Sequence, residues 1–140
     1  STVTQDDFVN CAATIAWRDS PFVLLRRLNE IEAEMGRVRG KIRDGPRGID
    51  LDILLCGSSI LFDPLLTIPH PQLHRRKFAL LPCLEINPDL IHPAFNKPLA
   101  ALLTEIGAEQ QIRLLRRIDP QEIVKCGLET PSKKGGIVKE

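Results

Sequence analysis

Residues 45–55 read Gly-Pro-Arg-Gly-Ile-Asp-Leu-Asp-Ile-Leu-Leu. Ile49, Leu51 and Ile53 alternate with Asp50 and Asp52, the period-two pattern of a half-buried strand. With the apolar residues facing a core, both aspartates leave the opposite face together. Residues i and i+2 on one strand face stand roughly 6–7 Å apart. Carboxylates held that close repel, and one tends to keep its proton. A bound cation removes the conflict. Oxygen-only ligands suit Mg²⁺, which commonly takes one or two carboxylates and completes its shell with substrate phosphates. The segment therefore predicts a strand over 49–55 and points toward metal-bound phosphate chemistry. An isolated pair of this kind is more often the plain solvent face of a strand, so the surrounding residues decide.

The chain has 140 residues, enough for one domain with a real core. With 43% of residues hydrophobic and 26% charged it has the composition of a soluble globular protein. A formal net charge of +1 gives no bulk attraction to a polyanion. Cys11, Cys56, Cys83 and Cys126 are scattered, with no C-x-x-C pair, which argues against a zinc knuckle or a redox motif and for reduced thiols in a cytoplasmic setting. No apolar run approaches the roughly 20 residues that span a bilayer, and the N-terminal stretch lacks the pattern of a signal peptide.

Residues 8–17 read as a strand, with Val9, Cys11, Ala13 and Ile15 on one face. Ser20-Pro21 is a helix start, and Leu24, Leu28, Ile31 and Met35 recur at helical spacing. A helix over 21–35 follows, with Gly36 as its stop. Residues 37–48 are polar, basic and turn-prone, a loop into the aspartate strand. Gly57-Ser58-Ser59 turns the chain into Ile60-Leu61-Phe62, expected as a short hairpin partner of that strand. Residues 63–71 hold three prolines and read as an extended loop. A second helix is expected over 72–85, ending before Asn87-Pro88, and a third over 98–106. Residues 112–124 fit a strand or a helix equally. The expected organisation is one domain over 1–128, with a Lys/Gly-rich flexible tail or linker over 129–140.

Arg37, Arg39, Lys41, Arg43 and Arg47 lie just upstream of the aspartates. A polyphosphate needs such a combination, because Mg²⁺ bridges some of its oxygens and guanidinium groups pair with others. A solvated basic loop that neutralises nearby acids has the same composition. Two prolines flank His70 and limit where its imidazole points, so that it can donate to a phosphate oxygen. His74 and His92 show no comparable context. Arg75, Arg76 and Lys77 form a basic cluster of a kind usually left on the surface, followed by Phe78. Glu32 sits one residue past the apolar stripe, facing either solvent or a site.

Three linked motifs carry a resemblance: Gly36-Arg37-Val38-Arg39, then Gly45-Pro46-Arg47-x-Ile49-Asp50-Leu51-Asp52-Ile53-Leu54, then Pro69-His70-Pro71-x-x-x-x-Arg76-x-Phe78-x-Leu80-x-Pro82-x-x-Glu85-Ile86-x-Pro88. In order and spacing the chain strongly resembles the 6-hydroxymethyl-7,8-dihydropterin pyrophosphokinases of folate biosynthesis, over a stretch from Gln5 to Pro93. The resemblance implies an α+β, ferredoxin-like antiparallel sheet with helices packed on it. It implies transfer of a pyrophosphoryl group from ATP to the pterin hydroxymethyl, with release of AMP. Asp50 and Asp52 are the implied ligands of two Mg²⁺ ions. Catalysis is implied for these two with Arg37 and Arg47. ATP contacts are implied for Asn29, Glu32, Arg39, Arg47, Ile53, Thr67, His70 and Arg76, and pterin contacts for Phe8, Asn10 and Phe78. The implied partners are two small molecules, ATP and a dihydropterin, with no nucleic acid and no membrane.

The departures are specific. Asp44 stands where an aromatic or other pterin-side residue is common, Leu65 where some members have an arginine, and Asn29 where some have Gln or His. The chain starts where the third family strand would, so the N-terminal strand–helix–strand is expected to lie outside it. That fits a fragment of a longer protein, pairing with another copy or partner, or loss of activity, and a fragment is the favoured reading. The residues after the last motif suit fusion to another folate enzyme such as dihydropteroate synthase. The alternatives in other classes are a non-catalytic ferredoxin-like module, using the basic stretch 37–47 on a phosphate backbone, and a degenerate paralogue. Scarce aromatic residues and the lack of tyrosine speak against base-stacking platforms.

Overall fold

The computed structural model describes residues 9–38, 49–110, 112 and 136–139, with backbone alone for 37–38 and 136–139. Within them the chain is a small α+β assembly of short antiparallel strands and helices. Strand β1 (Ala12–Thr14) leads to helix α1 (Pro21–Val38), then strand β2 (Asp52–Cys56). Strands β3 (Leu61–Phe62) and β4 (Thr67–Ile68) form a hairpin. A 3₁₀ turn (Leu73–Arg75) precedes helix α2 (Lys77–Ile86), strands β5 (Ile91–His92) and β6 (Lys97–Pro98), helix α3 (Leu99–Thr104) and strand β7 (Gly136–Lys139).

Helix α1 begins as its sequence dictates. Ser20 Oγ accepts the amide of Phe22 at 3.1 Å, and the Ser20 carbonyl takes the amides of Val23 and Leu24. Trp17 Nε1 donates to the same carbonyl at 3.0 Å, tying β1 to the helix start. Leu24 and Leu28 are buried and Ile31 and Met35 partly so, the expected stripe. The stop is different. The helix continues through Gly36 to Val38, and Gly36 does not take the positive φ of a C-terminal glycine cap.

Two apolar clusters share β2. Leu51 and Ile53 pack with Leu24 and Leu28 of α1 and with Leu66 and Ile68. Leu54 and Leu55 instead join Leu73, Ala79, Leu80, Cys83, Leu99 and Leu102 beneath α2 and α3. Consecutive leucines reach the same core because the register slips: Ile53 opposes Val138 and Leu55 opposes Ile137, leaving Leu54 as the extra residue of a bulge. Burial pushes the Cys83 thiol up to about 12.

The main sheet has the order β1-β7-β2, with β7 antiparallel to both neighbours. Strands β1 and β2 are therefore parallel to each other, joined by α1, with one slot between them, which is a split β-α-β unit. Gly136–Lys139, read as part of a tail, fills that slot. The expected strand over 8–17 is confined to Ala12–Thr14, and of the four residues expected on one face Val9 and Ala13 are exposed while Cys11 and Ile15 are half-buried. Ala12 packs on the α2 core and Ile15 on the α1 core.

Strand β3 pairs with β4 and not with the aspartate strand. The Gly57 turn forms as expected, with φ +56° and Ser59 N donating to the Cys56 carbonyl. A tighter closure then follows. Asp63 Oδ1 accepts the amide of Leu65 and the Asp63 carbonyl that of Leu66, so β3 folds onto Thr67–Ile68 inside the expected loop. The expected helix over 72–85 is split. Arg76 is extended (φ −114°, ψ 104°) between the 3₁₀ turn and α2. Its end before Pro88 is as expected, and the third helix forms as a shorter α3. Residues 39–48 and 113–124, read as a loop and as an undecided element, lie outside the described residues.

His92 is buried, and its ring stacks on Phe95 with centroids 4.3 Å apart. Its Nδ1 accepts the Phe95 amide at 3.2 Å, and His74 stands edge-on with centroids 6.5 Å away. Burial first, then the charge of His74, lowers the His92 pKa below its ordinary 6.5. The unfolded chain thus takes up the His92 proton at higher pH than the folded one, and stability falls as pH drops below 6.5. Urea unfolding between pH 7.5 and 5.5 is expected to show a weaker pH slope for His92→Gln, by up to about one bound proton. An added Cβ at Gly36 meets nothing within 4 Å. Gly36→Ala is therefore expected to raise stability by about 0.5–1 kcal/mol in thermal melts.

Candidate functional site

The α1 core holds the aspartate strand by its apolar side. Leu51 and Ile53 are buried, Asp50 is exposed and Asp52 half-buried, the alternation expected from the sequence. The regular ladder starts at Asp52, so Asp50 and Leu51 precede it, against the expected strand from 49. The Leu51 amide finds its acceptor in Glu32, whose Oε2 lies 2.7 Å away. A carboxylate at that distance makes a charge-assisted hydrogen bond. It fixes the peptide between the two aspartates to the helix. The polar side of Glu32 therefore faces the strand, which the apolar stripe alone left open.

Beside Asp52 lies a cleft of about 290 Å³ lined by Leu25, Leu51, Asp52, Ile53, Asp63, Pro64, Leu65, Leu66, Thr67, His70 and Pro71. Four expected site residues meet here: Asp52, Ile53, Thr67 and His70. Leu65 stands on the rim and is 78% exposed. His70 is held by its backbone and by its ring. Its amide donates to the Leu54 carbonyl at 2.9 Å, the carbonyl of the bulged residue. Its Nδ1 accepts the Gln72 amide at 3.0 Å. An acceptor Nδ1 places the ring proton on Nε2, so the neutral imidazole carries one N–H donor.

Arg76 and Phe78 form a second group. The Arg76 guanidinium carbon stands 5.5 Å from the Phe78 ring centroid, a cation–π distance. Phe78 is half-buried against the α2 core. Asn10 is half-buried ahead of β1, and Asn29 is exposed on α1. Neither Asn10, Asn29, Glu32, Asp50, Arg76 nor Phe78 lines the cleft. Arg37 lies in the last turn of α1 with its side chain outside the description, and Phe8, Arg39 and Arg47 lie outside the described residues altogether.

The donor set fits a hard cation. Asp50 and Asp52 offer oxygen alone, and among the described residues no three His, Cys, Asp or Glu groups gather to hold a metal unaided. Two carboxylates with the remaining positions left to phosphate oxygens are the usual protein share for Mg²⁺. Sequence reasoning missed Gln110, whose amide group brackets Arg76. Its signal was absent, since a lone glutamine after a helix carries no pattern.

The family model described as 7,8-dihydro-6-hydroxymethylpterin-pyrophosphokinase matches residues 1–88. Over 124 residues, 89% of this chain, the sequence is 42% identical to the folic acid synthesis protein fol1 of Schizosaccharomyces pombe. It is 42% identical over 110 residues to a 2-amino-4-hydroxy-6-hydroxymethyldihydropteridine pyrophosphokinase of Haemophilus influenzae, and 40% identical over 95 residues to one of Aquifex aeolicus. These matches cover 79% and 68% of this chain. The chain belongs to the 7,8-dihydro-6-hydroxymethylpterin-pyrophosphokinase family. It spans 17% of the length of the S. pombe protein, 68% of the H. influenzae protein and 59% of the A. aeolicus protein.

Glu32→Ala leaves the Leu51 amide without its acceptor and is expected to destabilise the fold by about 1.5–3 kcal/mol. Glu32→Gln keeps an acceptor oxygen and is expected to lose less than half as much, as read from urea unfolding midpoints.

Proposed function

We propose that this chain is part of an enzyme that transfers pyrophosphate from ATP to 6-hydroxymethyl-7,8-dihydropterin, giving the pterin diphosphate and AMP in folate biosynthesis. The observation that carries the reading is the cleft in which Asp52, Ile53, Thr67 and His70 meet beside the aspartate strand, in a chain of this family. The split β-α-β unit supports a ferredoxin-like reading of the fold. The domain is taken as residues 1–128, with the segment after it lending β7 to the sheet.

In this reading the pterin hydroxymethyl oxygen attacks the β-phosphorus of ATP. A new O–P bond forms, the bond from the β-phosphorus to the oxygen bridging it to the α-phosphorus breaks, and that oxygen leaves as part of AMP. The hydroxyl proton passes to solvent. Such a transfer is won by positioning and by stabilising charge. Asp50 and Asp52 would hold two Mg²⁺ ions, which neutralise phosphate charge when bound. His70 donates its Nε2 proton to a phosphate oxygen. Arg37, Arg39, Arg47 and Arg76 pair with the triphosphate, and Asn29 and Glu32 lie on its nucleotide side. Phe8, Asn10 and Phe78 hold the pterin ring.

No helix among the described residues is long and apolar enough to cross a membrane, and a cytoplasmic enzyme is proposed. Fusion to a further folate enzyme is part of the proposal; the S. pombe relative is several times longer than the stretch it shares with this chain.

The test is nucleotide binding by calorimetry with a non-hydrolysable ATP analogue. Binding is expected to require Mg²⁺ and to weaken at least about tenfold in Asp50→Ala/Asp52→Ala. Equal binding by the double variant would remove the metal role. Formation of AMP from ATP only when the hydroxymethyl pterin is supplied checks the reaction itself.

A further inference from the structure

Arg76 interrupts what the sequence presents as a continuous helix. Its backbone is extended; its own amide still donates to the Leu73 carbonyl at 3.3 Å and its carbonyl takes the amides of Ala79 and Leu80, which leaves the Arg75 carbonyl before it and the Lys77 amide after it to find partners elsewhere. One side chain from far along the chain satisfies both. Gln110 Oε1 accepts the amide of Lys77 at 2.9 Å, and Gln110 Nε2 donates to the carbonyl of Arg75 at 2.8 Å. The carbonyl of Gln110 also takes the Lys77 ammonium at 3.4 Å. The carboxamide supplies one acceptor and one donor, and the break needs that pair. Gln110 lies beyond residues 1–88, the stretch that the family model matches.

The break has a consequence for side chains. A helical Arg76 would continue the turn at Leu73–Arg75 and carry its guanidinium around the axis with it. The extended residue instead sets the guanidinium over the Phe78 ring. We infer that Gln110 is a positioning residue: by bridging Arg75 and Lys77 it holds Arg76 in the extended conformation that presents its guanidinium to the triphosphate and lays it on Phe78. This rests on the proposed role of Arg76 in ATP binding. Gln110 itself touches neither substrate.

The inference is tested with a double-mutant cycle on the same ATP-analogue calorimetry, using Gln110→Ala, Arg76→Ala and both together. Gln110→Ala is expected to weaken nucleotide binding about tenfold, and to weaken it by less than about twofold once Arg76 is already alanine. Equal losses in the two backgrounds would mean that Gln110 serves stability alone, and no loss in either would remove it from the site. Gln110→Glu keeps the acceptor for Lys77 and loses the donor to Arg75, so its loss is expected to lie between wild type and alanine. A second measurement is independent of any nucleotide. Hydrogen exchange at the Lys77 amide of the ligand-free chain is expected to accelerate about tenfold in Gln110→Ala and to change less in Gln110→Glu. Unchanged exchange would overturn the clamp. Wild-type chain that binds no nucleotide while this exchange still responds would instead locate the failure in the proposed function.

Discussion

The bulge at Leu54 is the constraint on which the described structure turns. An unbroken strand would send alternate side chains to opposite faces for its whole length. The extra residue resets that alternation halfway along. Leu51 and Ile53 enter the core under α1, and Leu54 and Leu55 both enter the core under α2 and α3. One five-residue strand thereby joins two apolar clusters. The same irregularity gives the Leu54 carbonyl to the amide of His70. The backbone that carries the His70 imidazole is thus tied to the feature that joins the cores.

Polar side chains elsewhere do related work, each satisfying a backbone group where regular structure stops. Ser20 opens α1, Asp63 closes the β3–β4 turn, Glu32 takes the Leu51 amide and Gln110 spans the break at Arg76. A buried or half-buried peptide group without a partner is costly, so these positions are where the chain can change direction. Three of the four, Asp63, Glu32 and Gln110, border residues that the proposed chemistry uses. The site is built at interruptions of regular structure, where a strand begins late or a helix is broken.

Much of the local architecture was legible. Ser20-Pro21 and the spacing of Leu24, Leu28, Ile31 and Met35 specify α1 because capping and periodicity are local properties. The alternation over 50–53 specified which side of the aspartate strand is buried. What failed were decisions made by distant partners. Gly36 looked like a stop, yet glycine also tolerates helical geometry, and nothing local forced the chain to leave it. Ile60-Leu61-Phe62 had two possible strands to pair with, and the Asp63 turn favoured the nearer one. The break at Arg76 depends on Gln110, more than thirty residues away, and no periodicity announces it. Of the expected site, the residues on β2 and around His70 come together because they share one short stretch of sheet and turn.

Strand β7 gives the main sheet an unusual order of assembly. Ala12 and Asp52 both pair with Lys139, so the strand that joins β1 to β2 comes from the opposite end of the sequence. The contacts beneath α1 and those beneath α2 and α3 join residues much closer in sequence, and closing such short loops costs less chain entropy. The two cores can therefore consolidate while the slot between β1 and β2 still lacks its strand. Contacts of such wide separation slow a folding reaction. During synthesis the aspartate strand is packed from the side of its apolar residues well before its open edge is paired, and until then that edge presents unpaired peptide groups to any extended segment nearby.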